Sequence, residues 1–169
     1  MSQTNRKDGG LINKDKTLTF TFNGQILRGY EGDTLASALL ANNKILVGRS
    51  FKYHRPRGIV TVGSEEPNAI MEIGSAAYKD PNTRATVTQL YNGLYARSQN
   101  HRGPLGFDLM AITDFLSPLL GAGFYYKTFM WPKAFWEKLY EPAIRNSAGL
   151  GTLSKEPDPD TYDKGFRYC

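Results

Sequence analysis

Apolar residues and threonines alternate early in the chain, with Leu18, Phe20 and Phe22 interleaved with Thr17, Thr19 and Thr21. A period of two places the apolar set on one face, which predicts a half-buried strand. Asn23-Gly24 follows, and both residues tolerate the positive φ of a two-residue hairpin turn. The return strand is Gln25 to Tyr30, and such a turn sets Phe20 opposite Leu27 on the buried face. The spacing then becomes helical. Asp33 is a suitable N-cap, Leu35, Ala38 and Leu39 line one side of a helix over 34–41, and Asn42-Asn43 ends it. Ile45 to Val47 predicts a short extended piece and Ala69 to Ile73 a strand. Thr83 to Tyr91 and Leu94 to Ser98, joined by Asn92-Gly93, predict a second hairpin.

Hairpin, helix and further strands in that order predict an α+β chain with a β-grasp core. Ubiquitin-like modules and plant-type ferredoxins share this fold, so it names no function by itself. Residues 1–14 read as a flexible leader, and 15–100 as the β-grasp domain. After His101 the texture changes. Asp108 to Leu116 predicts a helix, 121–131 is punctuated by glycine and rich in aromatics, and Pro132 opens a helix at Lys133. That helix runs to about Ala148, with Pro142 kinking it. Residues 101–151 are thus a helical extension packing on a neighbouring domain. Residues 152–169, with Glu156-Pro157-Asp158-Pro159-Asp160, read as an extended linker.

Charge and cysteine use narrow the chemistry. The net charge is +5, which admits nucleic acid, acidic partner surfaces and anionic cofactors. Cys169 is the only cysteine, so no disulfide forms within one copy. Neither His54 nor His101 has a Cys or His at metal-ligand spacing, so no metal site is expected. The first ten residues lack an apolar signal region, and no apolar run is long enough to span a bilayer. A cytoplasmic location with no membrane partner is the expectation.

Five basic or potentially basic side chains, Arg49, Lys52, His54, Arg55 and Arg57, fall within nine residues, with Phe51 and Tyr53 between them. Pro56 and Gly58 forbid a continuing helix there. A basic run is usually a solvated face. A rigid one bearing aromatics more often holds a neighbouring domain, a cofactor phosphate or a nucleic acid. Arg49, Lys52, Tyr53, His54, Arg55 and Arg57 are therefore candidates for lying beside a cofactor or partner. His54 reads as structural rather than catalytic, because no nucleophile or orienting carboxylate stands at a recognisable spacing. Glu65-Glu66 offers a carboxylate pair for acid–base work, but neighbours on an extended segment point to opposite sides, so pairing with nearby Arg or Lys is the expectation. Phe124, Tyr125, Tyr126, Phe129 and Trp131 are interface candidates, because large aromatic patches mark docking surfaces.

Several of these stretches carry a resemblance. They are 32–42 (Gly32-Asp33-Thr34-Leu35 onward), the basic run 48–58, and Glu65-Glu66-Pro67-Asn68-Ala69. Phe107-Asp108-Leu109-Met110-Ala111, 123–132 and Phe135-Trp136-Glu137-Lys138 join them. Together they resemble the N-terminal region of the alpha subunit family of heterotetrameric sarcosine oxidases, from about Gly10 to Cys169. The resemblance implies a place in a flavoprotein complex that oxidatively demethylates sarcosine to glycine. It implies FAD, FMN, NAD and tetrahydrofolate in the full complex and none held by this segment. It also implies the rest of the alpha subunit, with its Rossmann and folate-binding domains, and beta, gamma and delta subunits as partners. No Gly-x-Gly-x-x-Gly occurs here, and Phe166-Arg167-Tyr168-Cys169 falls where the family's Rossmann domain begins. The chain therefore reads as a non-catalytic segment of a larger subunit, with no amine oxidation of its own.

Cluster-bearing relatives of the domain carry cysteines after an Arg-Gly, spaced Cys-x4-Cys-x2-Cys around a [2Fe–2S] cluster. Counted from Arg57-Gly58, those positions are Thr61, Glu66 and Ala69, and none offers a thiolate. The missing thiolates argue against a stand-alone electron carrier. The alternative kept beside the subunit reading is a basic single-stranded nucleic-acid-binding module, in which Phe51 and Tyr53 stack on bases.

Overall fold

The computed structural model describes residues 3–118, 121, 123 and 131–167. Strands β1 (Asn13–Phe22) and β2 (Gln25–Glu31) form the expected hairpin. Asn23 and Gly24 turn it with φ of 49° and 78°, and Phe20 faces Leu27 in register. Helix α1 (Leu35–Ala41) buries Leu35, Ala36, Ala38, Leu39 and Ala41.

The helix starts one residue later than the sequence suggested. Thr34, not Asp33, is the N-cap. Its hydroxyl accepts from the Ser37 N–H while the Ser37 hydroxyl accepts from the Thr34 N–H, a reciprocal capping box. Asp33 is buried one step earlier. It accepts from the Tyr30 N–H and the Ser37 hydroxyl, and meets Arg6 through two guanidinium contacts of 3.1 and 2.7 Å.

The remaining strands are β3 (Gly48–Arg49), β4 (Pro56–Arg57), β5 (Ile70–Ile73), β6 (Asp80–Arg84) and β7 (Tyr95–Ser98). The main sheet runs β2-β1-β7-β5-β6, with β1 and β7 parallel and the other pairs antiparallel. Together with α1 this is a ferredoxin-like β-grasp. The core gathers Phe20, Phe22, Leu27, Leu35, Leu39 and Met71, all buried. Each such side chain contributes roughly 1.5–3 kcal/mol on burial. Gly29 lets α1 sit close to the sheet, since a Cβ there would lie 2.3 Å from the Leu90 side chain and 3.2 Å from that of Ala38.

The second expected hairpin does not form. Strand β6 pairs with β5, and β7 lies between β1 and β5. Residues 85–90 instead cross the start of α1. The carbonyls of Thr88 and Ala85 accept from the Leu35 and Ala36 N–H groups, and the Leu90 N–H donates to the Asp33 carbonyl. The loop thus satisfies helix donors that no turn within α1 could reach. Asn92-Gly93 does turn the chain, with the Leu94 N–H bonded to the Tyr91 carbonyl.

Residues 45–47, expected to be extended, lead directly into β3, and the Val47 N–H donates to the Arg57 carbonyl. Strands β3 and β4 make a small separate hairpin whose tip carries residues 50–55. Beyond the sheet, a 3-10 turn (Leu109–Ala111) leads into α2 (Ile112–Phe115), shorter than the helix expected there. Lys133–Phe135 form a 3-10 turn, Trp136–Tyr140 a π turn, and Glu141–Ser147 helix α3. Pro142 has no N–H to give the Lys138 carbonyl, and its ring crowds that oxygen, so the helix widens just before it. The segment after α3 then lies along β6. The Gly151 N–H donates to Asn82, and the Tyr78 hydroxyl to Asp160. Among the described residues no helix is long and apolar enough to cross a membrane.

Candidate functional site

The β3–β4 hairpin projects its basic residues toward the segment that follows β7. Arg49 donates through Nε and a terminal nitrogen to the Leu105 carbonyl, at 2.9 and 2.6 Å, and through its other nitrogen to the His54 carbonyl. Lys52 reaches the Gly121 carbonyl at 2.7 Å and lies over the Tyr53 ring. Arg55 pairs with Asp114 on α2 at 2.6 Å, also over Tyr53. The hydrogen bond to Asp114 and the charge of that carboxylate favour the guanidinium form, so the Arg55 pKa is raised. These three cations therefore face this chain's own residues 105–121. Arg57 differs: its side chain is exposed and makes no hydrogen bond or ion pair among the described residues.

His54 occupies the left-handed region at φ 52° and is buried. Its Nδ1 lies 2.5 Å from Asp108 Oδ2. The sequence spacing gave no orienting carboxylate. The fold supplies one from 54 positions along the chain. Asp108 Oδ1 accepts from the Arg102 and Met110 N–H groups. Burial pushes the Asp108 carboxyl up, but those N–H groups and the His54 ring outweigh it and hold its pKa below the usual value. With both side chains buried, the pair fastens the hairpin tip to residues 102–110.

Residues 58–69 form a second local structure. Glu66 is fully buried. Its Oε2 accepts from the N–H groups of Val60 (2.9 Å) and Thr61 (2.7 Å) and from the Thr61 hydroxyl (3.1 Å). Its Oε1 accepts from the N–H groups of Asn68 (2.8 Å) and Ala69 (3.2 Å). The expected pairing with Arg or Lys is thereby corrected. Arg84 donates to the Glu66 main-chain carbonyl, and no cation pairs with the carboxylate among the described residues. Burial pushes this carboxyl up, yet the four N–H donors lower it to about 2. The sequence offered one clue. Glu66 stands at the central cluster position, flanked by residues whose main-chain N–H groups close around it.

A cleft of about 450 Å³ opens between the basic hairpin and residues 148–150, lined by Arg49, Arg57, Asn68, Asn82, Asn100 and Gly149 among others. Among the described residues no cluster of His, Cys, Asp or Glu is arranged for a metal ion. Trp131 is 83% exposed, while Phe124, Tyr125, Tyr126 and Phe129 lie outside the described residues.

Residues 15–101 match the family model described as a 2Fe-2S iron-sulfur cluster binding domain. The sarcosine oxidase subunit alpha of Rhizobium meliloti (strain 1021) is 61% identical over 160 residues, which are 95% of this chain and 16% of that protein. The subunit of the same name from Corynebacterium sp. (strain U-96) is 44% identical over 91 residues, 52% of this chain and 9% of that protein. The crystal structure of L-proline dehydrogenase from P. horikoshii is similar with a TM-score of 0.40 and 29% identity, covering 52% of this chain and 16% of that one.

The residues here do not fit an iron–sulfur cluster. Thr61 and Ala69 offer no thiolate, and the Glu66 carboxylate is already saturated by main-chain donors. Homology with sarcosine oxidase alpha subunits spans nearly the whole chain, and by the match over 15–101 the chain belongs to the 2Fe-2S iron-sulfur cluster binding domain family.

Proposed function

We propose that this chain is a non-catalytic structural segment of a sarcosine oxidase alpha subunit, working by contact with other domains and subunits. The observation that carries this reading is the 61% identity over 95% of the chain against a protein of which it spans 16%. On this reading the complex oxidatively demethylates sarcosine to glycine. FAD, FMN, NAD and tetrahydrofolate sit outside residues 1–169, as do the beta, gamma and delta subunits, in the cytoplasm.

The surface after β7 supports a docking role. Phe107 is 73% exposed and Phe115 87%, and Leu109 and Ile112 are exposed beside them. Large apolar side chains exposed this closely along one segment favour an interface there. Residues 101–151 are then the part that packs on a neighbouring domain, and 152–169 lead onward from it. Arg57, on the rim of the cleft, is the basic residue of the run best placed for a partner carboxylate or cofactor phosphate. The nucleic-acid alternative is weakened because Arg49 and Arg55 already hold acceptors within the chain.

The test is Arg57→Ala combined with Phe115→Ser in the whole complex, reading assembly state and flavin content. Weaker assembly, by about 2–5 kcal/mol if a buried partner charge is lost, is expected. Normal assembly and full flavin content in the double variant would refute the docking role. Salt-dependent binding of the chain to single-stranded DNA would favour the alternative.

A further inference from the structure

The loop in which a cluster-binding relative would place its thiolates contains, in this chain, a fully buried carboxylate ringed by donors. We infer that Glu66 is a built-in anion that replaces the cluster as the organising centre of residues 58–69. The donors come from both limbs of the loop. Val60 and Thr61 approach from one side onto Oε2, and Asn68 and Ala69 from the other onto Oε1. Converging main-chain N–H groups form an anion-binding concavity, the arrangement that also accepts iron–sulfur centres. A cluster with its thiolates is anionic, and hydrogen bonds to its sulfurs tune it. A carboxylate brings negative charge and acceptor lone pairs to the same place without iron or sulfide.

The neighbouring contacts agree with this arrangement. Thr86 donates to the Gly63 carbonyl and Asn68 to the Gly58 carbonyl, so the loop is closed from outside as well. Arg84 holds the Glu66 main chain and leaves the carboxylate to the N–H groups. The loop is thus a small-anion site filled by the chain itself, and its order is independent of iron supply. The inference rests on the geometry of 58–69 and stands whether or not the chain docks in a larger subunit.

The experiment uses Glu66→Ala, which removes a fragment the size of acetate. Thermal unfolding of the chain is followed near neutral pH in acetate and in chloride at equal ionic strength. The variant should melt below the parent, and acetate should restore it saturably while leaving the parent unchanged. An unshifted variant, or equal gains from chloride, overturns the inference. Should Glu66→Ala fail to fold, amide exchange on the unaltered chain decides. The Val60, Thr61, Asn68 and Ala69 amides should exchange at least about tenfold more slowly than the exposed Val62 amide, and comparable rates overturn the inference. Anaerobic ferrous iron and sulfide should leave the chain without visible absorbance. A stoichiometric chromophore overturns the inference as well.

Discussion

The His54 ring and the Asp108 carboxylate meet at 2.5 Å with both side chains buried, joining the tip of the basic hairpin to the segment that follows the sheet. Asp108→Ala removes the acceptor for the ring and for two main-chain N–H groups. Breaking a buried pair from one side costs about 3–5 kcal/mol. Urea unfolding of the chain should show a loss of that size. Asp108→Asn keeps the shape and one acceptor, and should cost less. Equal stability of Asp108→Ala and the parent would remove the pair from the account of how the hairpin is held.

Acid should unfold the chain through its buried carboxylates. Glu66 falls from 4.5 to about 2 and Asp108 is also lowered. A folded-state value below the unfolded one gives stability that is full above the unfolded value and vanishes as pH falls through the folded one. For Glu66 the window runs from about pH 4.5 to about pH 2, and the drop corresponds to about 3 kcal/mol. Stability measured across that range should fall steeply in the parent, and Glu66→Gln should flatten the slope.

Arg6 lies within the segment expected to be a loose leader, yet it forms a two-pronged contact with the buried Asp33 and lies over the Tyr30 ring. Arg6→Ala leaves Asp33 with only the Ser37 hydroxyl and the Tyr30 N–H. A loss of about 3 kcal/mol is expected, since a buried charge is stranded. Removing residues 1–8 should cost a similar amount. No loss in either case would mean that the contact adds nothing to stability.

The Arg55–Asp114 pair should behave differently, because both side chains are about half exposed, at 52% and 42%. Solvent and salt screen such a pair. Arg55→Ala should leave the unfolding midpoint of the chain unchanged within error, at low and at high salt alike. A clear drop would make α2 part of the folded core.

What the sequence revealed follows from how local each signal is. The β1–β2 hairpin was legible down to the Phe20–Leu27 pairing, because alternation and Asn-Gly act over a few residues. The false second hairpin arose because Thr-Val-Thr favours strands while Ala85, Thr86 and Leu90 are the buried positions, a spacing dictated by α1. The cap lies one residue beyond the aspartate because Thr34-x-x-Ser37 forms the reciprocal capping pair, while the Asp33 carboxylate is taken up by Arg6, the Tyr30 N–H and the Ser37 hydroxyl. In the candidate site, the hairpin's basic character was legible, whereas its partners were not. Leu105, Asp108 and Asp114 lie more than fifty positions away along the chain from the residues they hold. Glu66 was hidden for another reason: its partners are main-chain groups, which every residue carries.

The pairing of β1 with β7 sets an order of events in folding. Strand β1 and the central strand β7 come from the two ends of the domain, and they touch at Thr21–Tyr95 and Phe22–Ala96. No other strand fills the space between β1 and β5. Until Ser98 has left the ribosome, β7 cannot complete the sheet, and the facing edges of β1 and β5 stay unpaired. Such long-range closure slows folding and leaves those edges open to wrong partners. A chain stalled at Gly93 would hold most of the core residues yet lack the strand that joins the two halves into one sheet.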